Sequence, residues 1–144
     1  KKNRVEIYVV KIKDNDAYLA PEERILPAGV DPQKGAIEEL LKTSQDKDQV
    51  QIFPQGTKLL GLRVKNGIAY IDFSHELKDN FPGGSMNEAL LLNSIVHTMT
   101  QFENIGKVQI LVEGEKLESI GGHIDISEPL AGNSTLLGMN GDQE

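Results

Sequence analysis

The stretch Leu60-Gly61-Leu62-Arg63-Val64-Lys65-Asn66-Gly67-Ile68-Ala69-Tyr70-Ile71-Asp72-Phe73 decides the fold. Apolar and other residues alternate on both sides of Asn66-Gly67, the period that lets a strand bury one face. A type I′ turn needs positive φ at both central residues, and Asn-Gly supplies it readily, so the segment predicts a β-hairpin. Upstream, Phe53-Pro54-Gln55-Gly56-Thr57 reads as a turn leading into the first strand. Downstream, Ser74 to Gly84 reads as an irregular stretch closed by Pro82-Gly83-Gly84, with a short helical turn at His75–Leu77.

Helices flank the hairpin. Asp31-Pro32 predicts a helix start, because the Asp side chain can cap free N–H groups and Pro suits the first helical position. Ile37, Leu40 and Leu41 continue one apolar face, and Lys42 suits the negative end of the helix dipole. Ser85-Met86-Asn87-Glu88 has capping-box spacing, with Ser85 as the cap. The helix it opens carries Ala89, Leu92, Ile95, Val96, Met99 and Phe102 as a core stripe, widened by Leu90 and Leu91.

The strands outside the hairpin follow from composition. Val5 to Ile12 is β-branched and aromatic and predicts a central strand, turned by Asp14-Asn15-Asp16 into a second, interrupted strand from Tyr18 to Leu26. Thr43 to Gln51 reads as a polar linker and Lys107 to Val112 as a strand closed by a turn at Glu113 to Lys116. Gly121 to Ile126 reads as a short edge strand. The order strand, strand, helix, hairpin, helix, strand predicts an α/β (α+β) domain with two main helices packed on a mixed β-sheet. One domain is expected over 5–127, followed by a C-terminal extension at 128–144 whose residues 131–144 are ordered only if they dock on something.

With 144 residues the chain suits one core, burying about 68–70% of its unfolded surface. The net charge of -7 argues against a phosphate-backbone partner, so no nucleic acid is expected. The absence of Cys excludes disulfides, thiolate zinc sites and thiol nucleophiles. No apolar run is long enough to span a bilayer, and no signal peptide is visible. The start at Lys1-Lys2-Asn3-Arg4 without Met leads us to expect a trimmed form from which an anchor has been removed.

Candidate chemistry is sparse. Asp72, Ser74, His75 and Glu76 supply an acid, a hydroxyl and an imidazole. Adjacent strand residues point to opposite faces, however, so no catalytic residue is assigned and Ser74 is expected to cap the following turn. His97 would need His, Asp or Glu at position 93 or 101 to form a metal pair. Asn93 and Gln101 stand there, so a surface or hydrogen-bonded core histidine is expected. Thr98 and Thr100 are expected to bond back to carbonyls of their own helix. His123 and Asp125 would share one face of the edge strand, and two such ligands do not make a metal site. Pro82-Gly83-Gly84-Ser85 lacks the ending of a phosphate loop, and Glu88 competes for any anion at that helix start. Asn133-Ser134-Thr135 matches a glycosylation triplet, too short a signal to count. No cofactor is indicated.

The chain resembles the GerMN domain family over Val5 to Ser127. The resemblance rests on Ile52 to Thr57, Asn66-Gly67, Ile71 to Ser74, Leu92 to Phe102 and Val108 to Gly114. Pro54, Gly56, Asp72, Ser74 and Gly114 sit at fold-making positions in these motifs. The resemblance implies an α/β domain outside the cytoplasm, envelope-associated or membrane-anchored, commonly behind a lipoprotein signal. It implies a non-enzymatic role in sporulation, spore germination or envelope assembly, exercised by protein–protein contact. Partners would be envelope proteins or the domain itself, with the membrane reached only through an anchor absent from this chain. The expected contact is an exposed helix face or a sheet edge, at His123, Ile124 and Asp125 or at Tyr18–Leu26, and if the first of these edges is used a Pro at Ile124 should abolish association with the fold intact. The alternative is a peptidoglycan-binding domain using Tyr70, Asp72, His75 and Asn80.

Overall fold

A computed structural model describes residues 3–42 and 46–132. In chain order the elements are β1 (Asn3–Lys13), β2 (Asp16–Leu26), α1 (Pro32–Leu41), β3 (Gln49–Val50), β4 (Leu59–Lys65), β5 (Ile68–Phe73), α2 (Glu76–Asp79), α3 (Ser85–Thr100), β6 (Lys107–Val112) and β7 (Glu115–Lys116). The α+β class and the order of the main elements hold. The strands divide into two sheets, β2-β1-β3 and β4-β5-β6-β7.

Local chemistry sets the turns as the sequence predicts. Asn66 and Gly67 take φ of 55° and 81°, and Lys65 faces Ile68 across the hairpin. Asp31 accepts a hydrogen bond from the Gln33 N–H, with Pro32 at the first turn of α1. Thr57 N–H and Oγ1 both donate to the Pro54 carbonyl, and Gly56 has φ 91°.

Elsewhere tertiary demands override local signals. β2 runs without interruption through Pro21, against the broken strand expected. Two residues of the polar linker form β3 and pair with Val10 and Lys11, while Thr43–Gln45 lie outside the described residues. Ser85 does not cap α3. Gly84 is the N-cap, with no side-chain bond, and Glu88 is directed elsewhere. Gly121 to Ile126 forms no strand. After Ser127 the chain reaches Leu130, which exchanges backbone hydrogen bonds with Val108, while residues 133–144, including the glycosylation triplet, lie outside the described residues.

α3 organises the interior. It packs against both β1 and β6, and Leu90 through Val96, Thr98 and Met99 are buried, far more of its circumference than one stripe. Ser94 and Thr98 of that helix and Gln101, its C-cap, form a polar row. Ser94 Oγ donates to the Tyr8 carbonyl at 2.6 Å, and Thr98 Oγ1 accepts the Tyr8 N–H at 3.0 Å. Gln101 accepts the Glu6 N–H and donates to the Glu6 carbonyl. Thr98 therefore serves the neighbouring strand rather than its own helix. Where β3 stops, side chains of α3 complete the edge of β1, so no buried backbone group is stranded there.

In the second sheet β5 and β6 run parallel in register from Ile68↔Lys107 to Phe73↔Val112. A parallel pair needs a crossover, and α2 with α3 supplies it. Ala69, Ile71 and Phe73 face the core, joined by Val108, Ile110, Met99 and Ile37.

Candidate functional site

Ligands of sheets with parallel strands gather outside the carboxyl ends of those strands. Here that place is the ends of β5 and β6, and the sequence candidates fall partly there. Asp72, on the outer face of β5, accepts the Gly114 N–H at 2.8 Å. Glu113 has φ 51° and turns its carboxylate to the His75 N–H, also 2.8 Å away. The His75 ring lies on the surface with Nδ1 2.9 Å from Asp79 and Nε2 3.5 Å from Glu76. The hydrogen bond to Asp79, then the charge of Glu76, raise the His75 pKa above its ordinary value.

Ser74 is buried. Its hydroxyl accepts the Lys58 N–H at 2.9 Å, while its bond to Glu76 is the main cause of that carboxyl's lowered pKa. It ties two segments together, but it does not cap the following turn as expected, since the N-cap of α2 is His75 with no side-chain bond. Asn80 is not part of this group, since its side chain donates to the Gln55 carbonyl and braces the lead-in turn. Tyr70 shares the outer face with Asp72 but lies under Arg63, whose guanidinium carbon is 4.8 Å from the ring centroid. Asp72 and His75 are thus brought to one strand end, and Tyr70 and Asn80 are not. Glu113 and Asp79 join them without a sequence signal beyond their position after a strand and a helical turn.

The second cluster surrounds Glu88, which is fully buried at the first turn of α3. Its carboxylate accepts N–H bonds from His123 at 3.2 Å and Ile124 at 3.1 Å, and it is 2.9 Å from His123 Nδ1. Burial alone would raise its pKa, but the His123 side chain and the N–H groups of Gly121, Ile124 and His123 hold it below the ordinary carboxyl range. Lys78 grips the same loop from the other side, donating to the Ser119 and Ile120 carbonyls. The expected polar edge at His123, Ile124 and Asp125 is therefore a loop folded around an internal carboxylate. Ile124 packs against the core, and Asp125 bonds back to Ser127. A Pro at Ile124 would remove a donor to Glu88, so it tests the fold and not an edge.

A shallow cleft of about 410 Å³ follows this loop beside Glu118, Ser119 and Asp125, and another of about 310 Å³ lies beside Phe53, Gln55 and Leu41. Neither gathers Tyr70, Asp72, His75 and Asn80. Among the described residues no three His, Asp or Glu side chains form a group able to hold a metal ion. Of the two expectations for His97, a surface or a hydrogen-bonded core histidine, the second is not met: the residue is half-buried, Nε2 has no partner among the described residues, and the ring packs 5.6 Å from that of Tyr8.

The profile of the Germane family, sporulation and spore germination, matches residues 6–118. The chain belongs to this family. It is 27% identical over 120 residues to the spore germination protein GerM of Bacillus subtilis strain 168, covering 80% of this chain and 31% of GerM. The first GerMN domain of that protein superposes with a TM-score of 0.73 at 26% identity, covering 90% of this chain and 97% of the other. Its tandem GerMN domains give 0.75 at 24% identity, over 91% of this chain and 46% of that chain, a likeness of fold. A candidate lipoprotein from Clostridium perfringens, known from a crystal structure, gives 0.65 at 30% identity over 90% and 87% of the two chains. The present chain is thus a GerMN-type domain spanning about a third of the length of GerM. No described helix is long and apolar enough to cross a membrane.

Proposed function

We propose that this GerMN domain is a non-enzymatic interaction module of a bacterial cell-envelope protein, acting outside the cytoplasm in sporulation, germination or envelope assembly. The observation that carries the reading is how the reactive-looking side chains are used. Asp72, Glu113, Ser74, Asn80 and Glu88 each hold another segment of the chain through a backbone N–H or C=O. Groups so committed build a fold. What is left for recognition is surface, chiefly the edges of two open sheets. The names of the relatives support the setting: GerM is a sporulation and germination protein, and the Clostridium neighbour is a candidate lipoprotein.

The test is affinity capture with the purified domain on solubilised envelope, read by mass spectrometry and repeated with excess free domain as competitor. Competable recovery of one or two envelope proteins is the expected result. Recovery of wall fragments alone, followed by saturable binding to isolated sacculi, would replace this reading with peptidoglycan binding.

A further inference from the structure

The open edges differ in what they offer a partner. Glu6 and Tyr8 turn their backbone groups to α3, so the ladder to β2 runs through the residues between them, and Pro21, opposite Tyr8, points its nitrogen outward. No ladder bond is lost there, but the ring obstructs that edge for an added strand. β7 has only two residues. β4 has neither obstacle.

Residues flanking a two-residue hairpin turn form a hydrogen-bonded pair, so Lys65 and Arg63 bond to Ile68 and Tyr70. Leu62 and Val64 then present N–H and C=O outward, and no described group takes them up. Their side chains pack against the core, while those of Arg63 and Lys65 are exposed on the outer face. Lys107, level with Ile68, adds a cation to that face. In a chain of net charge -7, no Asp or Glu occurs between Asp48 and Asp72. The Tyr70 ring under Arg63 leaves the planar N–H groups of the guanidinium free to bond a carboxylate.

We propose that the edge of β4 is the docking site for an extended acidic segment of a partner protein, laid beside Leu62 and Val64 as an added strand with carboxylates opposite Arg63 and Lys65. The proposal rests on the reading of the domain as an interaction module and names the surface and the chemistry of the partner. Cations on an edge strand keep neutral strands and a second copy of that edge away. The same cations favour acid at alternate positions, since residues directly opposite in neighbouring strands bring their side chains into contact.

The test uses the peptide acetyl-Glu-Val-Glu-Val-Glu-Val-Glu-amide and the isotope-labelled chain. Amide hydrogen exchange is followed at Leu62 and Val64 while affinity is measured by titration. We expect slower exchange at both amides and a loss of at least tenfold in affinity on Arg63→Glu with Lys65→Glu. Val64→Pro, which removes an outward N–H as Pro21 does in β2, should cause a similar loss. Peptide binding without protection of these amides overturns the proposal. So does Val64→Pro binding peptide, polyphosphate and phosphatidylglycerol vesicles like the parent, which would make the face a general polyanion site. Protection that rises with protein concentration alone would assign the edge to a second copy. Absence of any peptide binding refutes the β4 site while leaving the envelope capture result standing, so the two failures are distinguishable.

Discussion

Replacing Glu88 with Gln keeps the shape of the side chain and removes its charge. The buried carboxylate accepts from the N–H groups of Gly121, His123 and Ile124 and lies 2.9 Å from His123 Nδ1. Hydrogen bonds to a charged group contribute about 1.5–3 kcal/mol each, but they do not add, because the amide oxygen of Gln retains some of them. The amide NH₂ must instead face N–H donors. The partner left behind, His123, is half exposed, so no buried charge is stranded and the loss is about 1.5–3 kcal/mol, a sizeable share of the roughly 5–15 kcal/mol that holds a domain together. For a chain of this size that lowers Tm by about 5–10 °C. The sign with pH follows from the depressed carboxyl. Its contribution is fully present above the unfolded value near 4.5 and is lost as pH falls through the lower folded value. Urea unfolding followed by circular dichroism at pH 7 and at pH 3 should show a large gap between parent and Glu88→Gln that narrows in acid. A variant within about 0.5 kcal/mol of the parent at pH 7, below the range a lost charged hydrogen bond produces, refutes the reasoning. A gap of equal size at both pH values would refute it too.

Thr98→Val is nearly isosteric and strands the Tyr8 N–H, costing about 1–3 kcal/mol in chemical denaturation. Thr98→Ser should retain most of that stability, and equal stability of all three forms would contradict the seam between α3 and β1. Gly121→Ala places a Cβ 2.6 Å from a Phe81 ring carbon and 2.7 Å from Glu88 Oε1, so a loss of about 1–3 kcal/mol is expected in thermal melts. Asp79→Asn should lower the midpoint of the His75 ring titration by NMR toward 6.5, since the Asp79 bond is its main support. Because the folded value is raised, any stabilisation from this pair is complete below the unfolded value and fades as pH rises through the folded one. An unmoved midpoint would remove Asp79 from that role.

The hairpin, the start of α1 and the long strands β1 and β6 were legible because each rests on chemistry confined to a few neighbouring residues. Asn66-Gly67 needs only its own φ angles, and Asp31 caps a donor two residues away. The misreadings share one cause, a distant partner. Ser85 to Glu88 has the spacing of a capping box, yet Glu88 is drawn to N–H groups 35 and 36 residues away. For the same reason Gly121 to Ile126 does not extend, since its donors converge on a carboxylate instead of a ladder. Pro21 is accepted in β2 because its nitrogen faces away from β1, which depends on register. β3 is too short to show any period. Of the candidate site, Asp72 and His75 were findable from their place at a strand end, whereas Glu113 joins them only once β6 lies parallel to β5.

The seam along β1 also sets a timetable. Tyr8 waits for a residue 90 positions later, and Glu6 for one 95 positions later, before their backbone groups are satisfied within the fold. As the chain is synthesised from its amino end, β1 and β2 emerge early and can pair at once. The opposite side of β1 stays wet, or sticky to other extended chains, until α3 arrives. Contacts of such long sequence separation make folding slow and close to all-or-none. A nascent chain stalled before Ser94 would hold its first strand half-made, the form most vulnerable to misassembly and most in need of a holding partner.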